Sequence, residues 1–205
     1  MGAAAADILT PDEPGLATAA ALLRDGEVIG FPTDTVYGLA ALAGDRLAMR
    51  RVFDIKGRPL SQPLVLMVAE PLQVEEWAHV AAPARALMER FWPGPLTLVL
   101  PAHGRLRPPL VAGTPRTIGV RIPAHEVALG LLREVGEALA TTSANRSGAP
   151  EAMTPLEAAW LSGVAAVLDG GRAPGGVPST VVDMTGPELR VLREGPISVA
   201  ELLRG

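Results

Sequence analysis

The chain has 205 residues, 48% of them hydrophobic and 20% charged, with a formal net charge of −4 and no cysteine. That describes a globular chain with enough apolar material for a core, and it excludes disulfides, thiolate catalysis and Cys-ligated zinc. Net acidity argues against a non-specific nucleic-acid binder, and no apolar run approaches the ~18 residues that a membrane span needs.

Taken in order, the pattern alternates helices and strands. Pro14 to Arg24 reads as a helix closed by Asp25-Gly26, and Val28-Ile29-Gly30-Phe31 as a strand stopped by Pro32. Asp45 caps a helix to about Ile55. Leu64 to Ala69 is a continuous apolar run of strand length, as expected for a strand buried on both faces. Helical stretches near Leu72 to Ala78 and Ala84 to Phe91 end at Trp92-Pro93-Gly94-Pro95. Leu96 to Leu100, Thr117 to Ile122 and Ala138 to Thr142 read as strands, with a helix from Glu126 to Val135 between the last two. Pro155 to Leu161 is a short helix and Val164 to Leu168 a buried strand, followed by the glycine-rich Gly170 to Gly176. Val181 to Met184 and Leu189 to Leu192 are spaced to form a hairpin, and a helix from Val199 to Leu203 closes the chain. No linker or repeat divides it. The expectation is one α/β domain, residues 1–205, on a twisted, mixed open sheet.

Lys56 is the single lysine in the chain, within Lys56-Gly57-Arg58. Met49, Val52 and Phe53 define an apolar helix face, and Lys56 falls at i+7 of the same stripe. An amine on an inward face calls for an anion, although a helix C-terminus also favours a snorkelling lysine. Ser143 and Asn145 stand at i and i+2 after a strand, so an extended chain points both the same way. Taken alone, Ser143 to Gly148 is equally well explained as turn chemistry. Thr33, Asp34 and Thr35 follow the strand at Phe31, and Arg121 lies inside an apolar strand, where a carboxylate is its natural partner. Phosphate-loop and dinucleotide-binding glycine motifs are absent, and His79, His103 and His125 lack the spacing of metal ligands.

Seven stretches in order resemble one family over residues 15–197. They are Phe31-Pro32-Thr33-Asp34-Thr35-Val36-Tyr37-Gly38-Leu39, Lys56-Gly57-Arg58-Pro59 with Gln62-Pro63-Leu64, and Trp92-Pro93-Gly94-Pro95-Leu96-Thr97. The others are Gly119-Val120-Arg121-Ile122-Pro123, Thr142-Ser143-Ala144-Asn145-Arg146-Ser147-Gly148, Pro178-Ser179-Thr180-Val181-Val182-Asp183 and Arg193-Glu194-Gly195. Together they resemble the YrdC/Sua5 family, the threonylcarbamoyladenylate synthases.

The resemblance implies a single YrdC-like α/β domain with a deep cationic cleft. It implies a nucleotidyltransferase that joins L-threonine, bicarbonate or CO2, and ATP into threonylcarbamoyl-AMP, releasing pyrophosphate. A partner tRNA threonylcarbamoyl transferase complex would then modify adenosine 37 of tRNAs that read ANN codons. Matched by position, Lys56, Arg58, Ser143 and Asn145 fall on the catalytic pairs around the phosphates, and Gln62, Thr117 and Arg193 on further nucleotide contacts. Thr33, Thr35, Met67, Arg121, Thr141 and Ser179 fall around the threonine, with Met67 standing where many members have histidine. Magnesium is expected to ride on the ATP phosphates, with no metal held by the protein itself. A cytoplasmic location, at most a weak tRNA contact, and no C-terminal Sua5-type extension beyond Gly205 complete the expectation. With no such extension, the glycine-rich Gly170 to Gly176 loop is the expected closure of the cleft. Alternatives are adenylation of a different, carbamoyl-type carbamate, or a non-catalytic RNA-binding, ribosome-maturation module.

Overall fold

A computed structural model describes residues 5–103, 112–113 and 116–204. Its first two helices start where side chains satisfy the free amides of a first turn. Asp12 caps α1 (Glu13–Arg24) by accepting from Gly15 N at 3.0 Å. Asp45 caps α2 (Arg46–Lys56) through Leu47 N and Ala48 N at 2.8 and 3.0 Å. At the other end of α2, Gly57 takes a left-handed φ of 60°, the conformation that ends a helix at lowest cost on glycine. The remaining helices are α3 (Ala82–Phe91), α4 (Glu126–Val135), α5 (Pro155–Ala159) and α6 (Val199–Leu203). The stretch expected as a helix near Leu72 is a 3-10 helix, Pro71–Glu76.

Eleven strands form one mixed sheet among the described residues. They are β1 (Asp7–Leu9), β2 (Ile29–Phe31), β3 (Gly38–Leu42), β4 (Val65–Met67), β5 (Leu96–Pro101), β6 (Ala112–Gly113), β7 (Thr117–Arg121), β8 (Leu139–Ser143), β9 (Ala166–Leu168), β10 (Thr180–Asp183) and β11 (Arg190–Arg193). Their order is β1-β9-β2-β3-β8-β4-β7-β5-β10-β11, with β6 added to β7. The expected hairpin is present as antiparallel β10 and β11, and β10 also runs parallel to β5. Three strands were not anticipated: β1, β3 and β6. β1 pairs with β9, and β3 pairs antiparallel with β2 on one side and β8 on the other.

Two apolar clusters lie on opposite faces of this sheet. The larger takes Met49, Val52 and Phe53 of α2, Leu87 and Met88 of α3 and Leu39, Leu66, Leu98 and Val120 from the strands. The smaller joins Ala19, Ala20 and Leu23 of α1 to Leu131, Leu132 and Val135 of α4 over Phe31, Ala40, Met67, Leu139 and Leu168. No member of this second cluster comes from β5, β7, β10 or β11. The second face is therefore roofed by helices over only half its width. Strand register sets what stands on the open half: Val65 lies opposite Thr141 and Gly119, Met67 opposite Leu139 and Arg121, and Thr97 opposite Val181. Side chains alternate along each strand, so all these residues point to one side. No helix among the described residues is long and apolar enough to cross a membrane.

Candidate functional site

Over this open half-face lies a cavity of about 260 Å³. Gly38, Val65, Met67, Thr97, Arg121, Thr141 and Val181 form its floor; Thr33, Thr35, Val36, Tyr37, Arg58, Pro63, Thr142, Ser143, Pro178, Ser179 and Arg193 form its walls. Three arginines line it, and among the described residues no carboxylate does.

At one end stands the lysine of α2. Lys56 is only 4% exposed, in line with the apolar stripe that carries it inward. Its Nζ donates to Ser143 O at 2.8 Å, to Ser143 Oγ at 3.2 Å and to Asn145 Oδ1, which uses all three ammonium protons. Ser143 Oγ donates to Asn145 Oδ1 at 2.8 Å, and Asn145 Nδ2 donates to Ala149 O at 2.6 Å. The i, i+2 pair thus meets the lysine as one unit. Lys56 and Asn145 sit directly behind Ser143 rather than in the lining itself. Burial, and next the charge of Arg58, bring the Lys56 amine down to about 8; Glu151 opposes them.

Arg58 and Arg193 bring two further cations beside it. Arg58 Nη1 donates to Thr142 Oγ1 at 2.8 Å and Nη2 to Pro63 O at 3.1 Å, while its buried Nε has no partner. Arg193 clamps Ser179 O through Nε and Nη2 at 3.1 and 2.8 Å. Burial, then Arg193, pushes the Arg58 guanidinium below its ordinary value. Like charges gathered under partial burial are unfavourable until an anion joins them. The arrangement is built for one.

The other end is made of hydroxyls around Arg121, which is 3% exposed. Its Nε donates to Gly94 O at 3.0 Å, Nη1 to Thr35 Oγ1 at 3.1 Å and Nη2 to Asp34 Oδ1 at 2.6 Å. A guanidinium has five N–H groups, so one remains on each terminal nitrogen, the number a bidentate carboxylate takes. Asp34 Oδ1 also accepts from Ala124 N at 3.0 Å, whereas Asp34 Oδ2 is buried without a partner. Thr33 Oγ1 lies 2.9 Å from Thr35 Oγ1, Thr97 Oγ1 lies 2.8 Å from Ser179 Oγ, and Thr141 Oγ1 donates to Val65 O at 3.0 Å.

Most of the residues singled out in the sequence therefore converge. Four stand outside the lining: Lys56 and Asn145 lie behind Ser143 and are hydrogen-bonded to it, Gln62 is exposed in the loop after α2, and Thr117 is half-buried on β7. Sequence reasoning gave no role to Asp34, the partner of Arg121, or to Thr97, the one polar residue in the run Leu96 to Leu100. That polarity inside an apolar strand was the available signal. The glycine-rich segment expected to close the cleft is packed onto the wall that carries Thr35 and Tyr37. Tyr37 OH donates to Gly171 O at 2.7 Å and accepts from Gly170 N at 3.1 Å. Gly176 N donates to Thr35 O at 2.9 Å, and a Cβ on Gly175 would stand 2.8 Å from Asp34 O.

A half-roofed mixed sheet carrying a carboxylate-free, arginine-lined cavity defines an α/β protein with an anion-receptive site at one end and a hydroxyl-rich site at the other. Comparison with known proteins makes this specific: the chain belongs to the Sua5/YciO/YrdC family, whose model, described as telomere recombination, matches residues 21–195. It is 41% identical over 199 residues to the threonylcarbamoyl-AMP synthase of Bacillus subtilis, covering 96% of this chain and 58% of that one. It is 38% identical over 176 residues to the threonylcarbamoyl-AMP synthase of Nitrosococcus oceani, covering 84% of this chain and 95% of the relative. Pyrococcus abyssi Sua5, solved in complex with L-threonine, superposes with a TM-score of 0.90 at 37% identity, covering 97% of this chain and 60% of that one. The chain thus spans somewhat more than half the length of the B. subtilis and P. abyssi proteins.

Proposed function

We propose that this chain is a threonylcarbamoyl-AMP synthase, joining L-threonine, bicarbonate or CO2, and ATP with release of pyrophosphate. The observation that carries the reading is the two-ended cavity. The Arg58 and Arg193 end, backed by the Lys56, Ser143 and Asn145 unit, suits phosphates. The Arg121 end suits an amino-acid carboxylate, beside the hydroxyls of Thr33, Thr35, Thr97 and Ser179. Met67, Val65 and Val181 offer apolar floor to a methyl group. At about 260 Å³ the cavity is small for a ligand site, which suits the amino acid and the reacting phosphate and leaves the nucleoside at the mouth.

The chemistry asks little of such a site beyond positioning. Threonine's free amine adds to CO2 and gives up a proton to solvent, forming a carbamate whose oxygen attacks the α-phosphorus and expels pyrophosphate. The nucleophile is already an anion, so no strong base is needed. The barrier falls when the reactants are aligned and the charge growing on phosphate oxygens is neutralised. Magnesium enters with ATP as the companion of its phosphates, because the lining offers no carboxylate to hold it. The product would pass in the cytoplasm to a transferase that modifies adenosine 37 of tRNA.

Mass spectrometry of the product from ATP, L-threonine and bicarbonate tests the proposal. The expected species is threonylcarbamoyl-AMP, formed together with pyrophosphate in a reaction that needs all three substrates. Pyrophosphate release that proceeds equally well without threonine would overturn it in favour of another carbamate.

A further inference from the structure

Two of the chain's three histidines, 24 residues apart in sequence, meet in space far from the cavity. His103 Nδ1 lies 3.1 Å from His79 Nε2, with the rings crossing at 83°. Backbone pairing sets the meeting: Ala78 bridges Ala102, His79 N donates to Pro101 O, and His103 N donates to Trp77 O. Thr97, on the cavity floor, is six residues before His103 along β5 and its extension, roughly 20 Å away at strand rise.

The tautomers follow from the partners. His103 Nε2 lies 2.8 Å from the carbonyl oxygen of Glu75, which can only accept, so this nitrogen carries the proton. Neutral His103 therefore presents a lone pair at Nδ1 toward His79. A ring held by a backbone carbonyl through its far N–H is the usual arrangement of a metal-binding histidine. His79 is exposed, so its proton can move to Nδ1 and leave a second lone pair at Nε2. With metal–nitrogen bonds of about 2.05 Å, nitrogens 3.1 Å apart subtend roughly 98° at the ion, between octahedral and tetrahedral angles.

We propose that His79 and His103 form a surface site for an imidazole-seeking divalent metal, zinc, nickel or copper, with water completing the coordination. Magnesium, which prefers oxygen, is excluded by the donor set. The ion would clip the segment after the 3-10 helix to the end of β5, a stabilising role independent of catalysis.

Calorimetric titration of untagged protein with Zn2+ and Ni2+ tests this, alongside His79→Ala and His103→Ala. Both rings are at the surface or only half-buried, so the variants are expected to fold. The wild type should bind one ion per chain and gain thermal stability that EDTA reverses. Either substitution should weaken binding by about tenfold or more, as loss of even a supporting contact does at metal sites. Mg2+ should give no saturable heat. Absence of saturable binding in the wild type, or equal binding by the double variant, would overturn the proposal.

Discussion

Removing Asp34 should expose how much of the fold depends on one ion pair. Its carboxylate meets Arg121 at 2.6 Å, with the two side chains only 12% and 4% exposed. In Asp34→Ala the guanidinium keeps its charge in a site that water barely reaches. Breaking a buried pair in this way costs about 3–5 kcal/mol. Part of that is offset, because Asp34 Oδ2 is itself buried without a partner, a cost of about 1–3 kcal/mol that the substitution removes. The net expectation is about 2 kcal/mol, and at 2–4 °C per kcal/mol for a chain of this size that lowers Tm by roughly 4–8 °C. Scanning calorimetry with urea titration measures it. Asp34→Leu combined with Arg121→Met removes both charges and should recover much of the loss. A drop under about 2 °C for the single variant, or a double variant equal to the sum of the singles, would refute the reasoning.

Lys56 should impose an alkaline limb on ATP use. Its amine loses charge near pH 8, so kcat/KM for ATP should fall through that pH, and the limb should be absent in Lys56→Met. Stability runs the other way. Between about 8 and 10.5 the unfolded chain holds the extra proton, so stability should rise with pH across that window in the wild type relative to Lys56→Met. Lys56→Arg keeps a charge at all pH values, but its planar fork cannot reach three convergent acceptors as an ammonium does, so its rate should drop; an undiminished rate would show the shape of lysine to be irrelevant. Gly119→Ala probes the floor: its Cβ would meet Val65 Cγ2 at 3.4 Å and Thr97 Cγ2 at 3.5 Å, ordinary contacts that leave the fold intact. The added methyl should raise KM for threonine by about tenfold or more, and an unchanged KM would place threonine elsewhere.

Features coded by adjacent residues were legible in the sequence. The Asp45 cap, the Met49, Val52, Phe53 and Lys56 stripe and the Gly57 stop lie within thirteen consecutive residues, and all of them appear in α2. β3 was not legible, because Gly38-Leu39-Ala40-Ala41-Leu42 has no β-branched residue and owes its extended form to hydrogen bonding with β2 and β8. β1 is three residues long and exists only beside β9. The same division holds in the site. Ser143 and Asn145 could be paired from their spacing, whereas the Asp34 and Arg121 contact joins residues 87 apart. Nothing local announces such a contact. The His79 and His103 meeting was hidden for the same reason.

The half-roofed face also separates two kinds of selection. Val65, Thr97, Gly119 and Val181 line or flank the cavity floor, yet none belongs to either apolar cluster. Substitutions there reshape the ligand's surroundings without emptying a core, while the helices over β2, β3 and β9 go on anchoring the sheet. A lineage can therefore reshape the cavity one floor residue at a time, and its tolerance for such drift is set by geometry rather than by spare stability.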